Sequence, residues 1–233
     1  MGRTWNGRRA WAGKDHGLYP VSAADLDTCI AFIGAAERGY QNNYSDPGNW
    51  SSGMRYVGNL IGTNYGISAP TLTKWMMREI TPSDMRTLDW ATARDIYVAW
   101  FWNLIHGDDL PSGLDLMGFD HAIMAGPASA LAEIADSAAV GLGTQATTLS
   151  RFRMQILQRR LDVVPDGFYG PLTSAAIAGQ HNQHPALRIL YVSQIQEIYY
   201  RGLGGSHDFL TGWLDRLSAR TTLALQLSDG ASA

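Results

Sequence analysis

The chain has 233 residues, enough for one sizeable core or for two smaller lobes. Hydrophobic residues make up 45 % and charged residues 17 %, the balance of a globular chain, which excludes intrinsic disorder. With 18 basic and 21 acidic side chains the net charge is −3, so no global field draws the chain to nucleic acid or to an anionic membrane.

Residues 1–19 are aperiodic and carry Arg3, Arg8, Arg9 and Lys14, which marks them as an N-terminal arm. No apolar stretch of signal-peptide length follows them, and no run reaches about 18 apolar residues. Synthesis in the cytoplasm without a signal peptide, and no membrane insertion, are the corresponding expectations. Cys29 is alone and sits in an apolar run, which rules out an intramolecular disulfide and reads as a small core residue.

Helical periodicity begins at Ser22, with Asp25 three residues later as a capping-box variant. Leu26, Ile30, Ile33 and Glu37 then share one face with Cys29, which predicts a helix over 22–38 ended by Gly39. From Tyr40 to Ser68 the pattern changes to glycine, asparagine, serine and proline, the chemistry of turns and short strands. Excursions of that length tend to be functional. Helices are then expected over 70–80, 90–105 with Asp89 as cap, 112–124 with Ser112 as cap, 128–140, 150–161, 171–180, 185–202 and 207–219. Prolines mark the breaks between them, and 141–148 reads as a linker. The fold class expected is therefore mainly α, with a small β-hairpin excursion carrying part of the active site. The organisation is an arm at 1–19, a catalytic lobe at 20–126, a helical C-terminal lobe at 127–219 and a frayed tail at 220–233.

Glu37 departs from the solvated habit of most carboxylates. It continues the apolar face of its own helix and stands at the last turn, just before the polar excursion. Partial desolvation there would raise its pKa and keep it protonated near neutrality, as a general acid requires. A glutamate that only caps or salt-bridges a helix end is the plainer alternative. Asp46 follows nine residues later in Asp-Pro-Gly, a tight turn, and could return a second carboxylate toward the first. Two carboxylates are the usual requirement of glycoside hydrolysis, one protonating the leaving oxygen and the other activating water or stabilising the oxocarbenium-like state. Asp46 could equally serve only to shape its loop. Thr63, flanked by Gly62, offers a hydroxyl to hold an attacking water, although threonine is ordinary in short strands. Tyr40, Trp50, Tyr56 and Tyr65, with Asn64 beside the last, are the candidate substrate-binding residues; aromatic faces suit sugar rings, and also fill cores.

Other chemistries find no support. The histidines form no HExxH pair and no Cys/His cluster, so no metal ligands are assigned. His106-Gly-Asp-Asp109 lacks the alternate ligands of a calcium loop and reads as an interhelix turn. There is no phosphate-binding Gly-Lys-Ser/Thr loop and no GxSxG elbow, and no cofactor is expected.

The string from Glu37 through Tyr40 to Asp46-Pro-Gly, continued by Gly62-Thr-Asn-Tyr-Gly-Ile67, resembles the family 108 glycoside hydrolases. Asp109 to Pro127 is similar to that family's second helical block, and Arg151 to Ile177, with Asp166-Gly-Phe-Tyr-Gly-Pro171, to its C-terminal peptidoglycan-binding-type region. Gly212-Trp-Leu-Asp-Arg216 suits its closing helix. The resemblance implies a lysozyme-like fold that cuts the N-acetylmuramic acid to N-acetylglucosamine linkage of peptidoglycan, with Glu37 on the family's catalytic glutamate. Asp46 and Thr63 fall where related phage lysozymes complete their catalytic constellation. Two features depart from the pattern. Arg38 replaces a glycine after the acid, and residues 49–61 lengthen the segment before Thr63.

Two rivals stay open. A lytic transglycosylase would use one glutamate and yield anhydromuramic products. A non-catalytic glycan-binding module of a phage tail would keep the fold to grip glycan. The partner expected in every case is the peptidoglycan glycan strand. Action on the periplasmic wall would follow delivery through a pore, as an endolysin, or on a virion, where other phage structural proteins would be partners.

Overall fold

The computed structural model describes residues 23–36, 39–139, 148–178, 185–203 and 207–230. Its first helix, α1 (Ala23–Ala36), buries Cys29, Ile30 and Ile33, the face read from the periodicity. Burial pushes the Cys29 thiol far above its ordinary pKa, so it is an inert core residue. Ser22, Glu37 and Arg38 lie outside the described residues, as does nearly all of the linker expected at 141–148.

Three short helices follow the excursion, and each starts as its sequence dictates. In α2 (Ala69–Met76) the Ser68 hydroxyl accepts from the Thr71 amide. In α3 (Pro82–Arg86), a helix the periodicity did not foretell, Thr81 and Asp84 close a capping box over a first-turn proline. In α4 (Trp90–Tyr97) the Asp89 carboxylate accepts from the Thr92 amide at 2.7 Å, as expected. The single helix expected over 90–105 instead loosens into a π-helical turn at Val98–Trp102 and a 3-10 turn at Asn103–Ile105.

The centre of the molecule is α5 (Leu114–Ala125), whose residues Leu114 to Ala122 are all buried. A helix that is buried on every side must be surrounded, and α5 packs against α1, α6 (Pro127–Ala139), α9 (Pro185–Gly202) and α10 (His207–Gly230). Ser112 is not its cap, contrary to expectation. Gly113 occupies that position at φ 85, and the Asp115 carboxylate accepts from the Gly113 and Leu116 amides. No side chain fits at Gly113, because a Cβ there would lie 2.1 Å from the Ala224 carbonyl oxygen.

Two further helices, α7 (Arg151–Arg160) and α8 (Pro171–Ala178), are joined by a loop organised around Gln158. That buried amide donates to Asp166 and Thr173 and accepts from the Gly167 amide. The tail expected from residue 220 is also corrected. Helix α10 runs on to Gly230, because Arg220, Ala224, Leu225 and Ser228 continue its buried face. One hydrophobic cluster runs from Cys29 to Leu225. Among the described residues no helix is long and apolar enough to cross a membrane.

The mainly helical class is as expected; the β-hairpin is not what the excursion forms. Residues 39–68 hold only isolated antiparallel bridges, Gln41 with Thr63, Trp50 with Leu60 and Asn64 with Ile67. The cause lies in the side chains. The Ser51 hydroxyl takes the Asn59 amide and the Ser52 hydroxyl takes the Met54 amide, which leaves no regular ladder to propagate.

Candidate active site

The excursion is closed at its base by backbone. Gln41 and Thr63 exchange both main-chain hydrogen bonds at 2.8 Å, which brings the two arms together beyond the end of α1. On one arm, Asp46 caps the 3-10 turn Pro47–Asn49, its carboxylate accepting from the Gly48 amide at 2.8 Å. Gly48 sits between the candidate groups. A Cβ there would lie 3.2 Å from Asp46 Oδ1 and 3.9 Å from Thr63 Oγ1.

Two amides that no sequence signal singled out link the candidates. Gln41 Nε2 donates to Asp46 Oδ2 at 3.0 Å. Asn49, fully buried, donates from Nδ2 to Gln41 Oε1 and to the Asn43 carbonyl, each at 2.8 Å. Thr63 Oγ1 in turn donates to Asn49 Oδ1 at 2.5 Å. Both Asn49 donors are thus committed to acceptors, which fixes its carbonyl toward Thr63 and commits the Thr63 proton inward. The Thr63 oxygen therefore offers lone pairs, not a proton, to anything that arrives from solvent. Asp46 and Thr63 are both part-buried and belong to one continuous relay.

The other expected residues divide by environment. Tyr40 is a brace: its hydroxyl donates to the Ile61 carbonyl and its ring lies so close to Gly62 that a Cβ there would sit 2.5 Å from Cε2. The Arg86 guanidinium lies 4.7 Å from the Tyr40 ring centre, over its face. Asn64 is buried and donates to the Met85 carbonyl at 2.9 Å, tying the excursion to α3. Tyr65 adopts a left-handed backbone, accepts from the Tyr97 hydroxyl at 2.6 Å, and rests its ring on Trp90. Trp50 is only 5 % exposed, whereas Tyr56 is 62 % exposed. Glu37 itself lies outside the described residues.

A second concentration of polar groups sits in the helical core. Asp120 of α5 is fully buried between Arg216 and Arg220 of α10. Burial alone would raise its pKa, but the two guanidiniums outweigh that and hold the carboxyl below the usual carboxylate range. Arg220 also donates to Gln196, Gln196 donates to Glu133, and His121 shares a hydrogen with the Tyr200 hydroxyl at 2.9 Å. His121 Nε2 lies 3.1 Å from Glu133 Oε1 yet makes no hydrogen bond. Asp120, His121, Gln196 and Arg220 are fully buried, so they cannot receive a polymeric substrate. A cavity of about 260 Å³ between α7, α9 and α10, lined by Phe152, Ile156, Leu190, Glu197 and Leu217, includes no residue of the excursion. Among the described residues no cluster of three or more His, Cys, Asp or Glu side chains is placed to hold a metal.

Comparison with known proteins falls on the same segment. Residues 30–126 match the family model described as Glycosyl hydrolase 108, a range that contains the whole relay. No curated protein matches the chain. Among solved structures the chain is similar to Brucella abortus SagA, with 28 % identity, a TM-score of 0.57, and coverage of 89 % of this chain and 97 % of that one. The excursion and the helices that anchor it are thus the part in which the chain is similar to a known family: residues 30–126 match glycosyl hydrolase family 108.

Proposed function

We propose that this glycoside hydrolase is a lysozyme, an N-acetylmuramidase that cleaves the N-acetylmuramic acid to N-acetylglucosamine linkage of peptidoglycan. The observation that carries the reading is the relay from Asp46 through Gln41 and Asn49 to Thr63. In this reading Glu37 protonates the leaving oxygen as general acid. Thr63, its own proton committed to Asn49, accepts a hydrogen bond from the attacking water and so aims it. Asp46 supplies negative charge to the oxocarbenium-like state. Tyr40, Asn64 and Tyr65 shape the site through their ties to Ile61, Met85 and Tyr97, while exposed Tyr56 belongs to its glycan-facing rim and buried Trp50 supports it from beneath.

The reading keeps 20–126 as the catalytic lobe and the helical lobe that begins at 127, carried by α10 past 219 to Gly230, as one of peptidoglycan-binding type. Release through a membrane pore, as an endolysin, or carriage on a virion would each bring this chemistry to the wall. The test is mass spectrometry of the products released from purified peptidoglycan. Reducing-end muramic products, lost in Glu37→Gln, are expected. Anhydromuramic products would move the assignment to a lytic transglycosylase, and no cleavage by the unaltered chain would refute a catalytic role.

A further inference from the structure

Tyr44, Trp50 and Tyr56 of the excursion form an aromatic face whose parts have separate jobs. Tyr44 is 56 % exposed and Tyr56 62 % exposed, with ring centres 5.3 Å apart. Both rings lean on Trp50, at 4.8 Å and 5.6 Å, in edge-to-face contacts. Trp50 shows almost no face of its own, and its Nε1 donates to the Tyr44 carbonyl at 3.1 Å. Trp50 is therefore the base on which the two tyrosines stand.

The loop holds Tyr56 outward against a backbone preference. Its φ is +64, a region that suits glycine or asparagine better than a ring-bearing residue. Around it, the Ser52 hydroxyl donates to the Val57 carbonyl at 2.7 Å, and Ser51 fills the space where a Gly58 side chain would stand. A glycine at 56 would fold there with less strain, so the ring is what tyrosine adds. The face is also rigidly joined to the candidate chemistry, since Asp46 begins and Trp50 ends the same 3-10 turn.

We propose that Tyr44 and Tyr56 form an outer subsite that grips an N-acetylated sugar ring of the glycan strand, with Trp50 as a positioning residue beneath them. This rests on the glycan-cleaving reading above. It adds Tyr44, and it moves the stacking role away from Trp50. Aromatic faces with hydroxyl edges match the apolar faces and hydroxyl rims of sugars. A bilayer surface is the competing occupant, but Arg55 is the lone cation of the 49–61 stretch, which is poor provision for anionic lipid.

The test is calorimetric titration of the full chain, in a Glu37→Gln background that spares the ligand, with the β-1,4-linked N-acetylglucosamine hexamer. Tyr44→Ala and Tyr56→Gly should each weaken binding several-fold and together about tenfold. Tyr56→Gly should melt no lower than its parent, so lost affinity would not reflect lost fold. In the otherwise unaltered enzyme the pair should raise KM for peptidoglycan about tenfold and leave kcat within about twofold. Unchanged hexamer binding in the double variant would overturn the subsite, even if the parent enzyme cleaves peptidoglycan. So would no binding by the parent, or loss confined to phosphatidylglycerol vesicles. Binding that depends on both tyrosines in a chain that cleaves nothing would keep the subsite and refute the hydrolytic reading instead.

Discussion

The excursion at 40–68 and the polar network inside the helices use the same kinds of side chain to opposite ends. In the core, Asp120, Arg220, Gln196 and Glu133 are all buried and meet only one another and their helices. In the excursion, Asp46 and Thr63 stay part-buried, each tethered on one side and open on the other. A charge enclosed on every side can fix how helices pack, but it cannot meet a substrate. A tethered group at the surface can. The difference teaches that the degree of enclosure, more than residue type, separates a structural polar cluster from one placed to meet a substrate.

The sharpest way to break the comparison is in the core. Asp120→Ala leaves Arg220 buried without its carboxylate and should cost about 3–5 kcal/mol of stability in urea titration. Peptidoglycan cleavage by the fraction still folded should be close to normal. A large fall in that rate with little loss of stability would mean that the core network takes part in chemistry. Next in size is Asn49→Ala, which removes a buried amide with three partners and should cost about 1–3 kcal/mol. Unlike the core variant, it frees the Thr63 hydroxyl to rotate and should also slow cleavage about tenfold at temperatures where it is fully folded.

Asp115 sharpens the comparison through pH. Burial pushes its carboxyl up to about 7, with repulsion from Asp25 adding to the effect and the Leu116 and Gly113 amides opposing it. A carboxyl whose pKa rises on folding favours the folded state while protonated. That advantage is whole below about pH 4, its unfolded value, and is lost as pH rises to about 7. Asp115→Asn keeps an acceptor for both amides. It should match the parent near pH 4 and be more stable by about 1–3 kcal/mol at pH 8, read as the difference between the two urea midpoints. The smallest effect belongs to Arg94→Ala. Its pairing with the exposed Asp27 should contribute less than about 0.5 kcal/mol, within the error of a thermal melt.

Much of the helical frame was legible because local rules decide it. Asp89 caps where its spacing from the next apolar run requires. Cys29, Ile30 and Ile33 declare a buried face by period alone. The misses have tertiary causes. Helix α10 passes residue 220 because Ala224 and Leu225 have a core to enter, which the polar end of the sequence concealed. Asp120 and Arg220 are a hundred residues apart, and each alone looks like a surface charge. In the excursion the turn at Asp46 announced itself through Asp-Pro-Gly. Gln41 and Asn49 gave no signal, since an amide becomes a linker only when folding places acceptors on both sides. The burial of Trp50 beneath Tyr44 and Tyr56 was equally hidden, because sequence does not rank neighbouring aromatics by exposure.

The most direct test of the account is the initial rate of muropeptide release by Glu37→Gln, measured beside its melting temperature. Loss of the proposed general acid should lower the rate at least about a hundredfold, at a melting temperature within a few degrees of the parent. A rate within about tenfold of the parent would contradict the account and place the acid elsewhere.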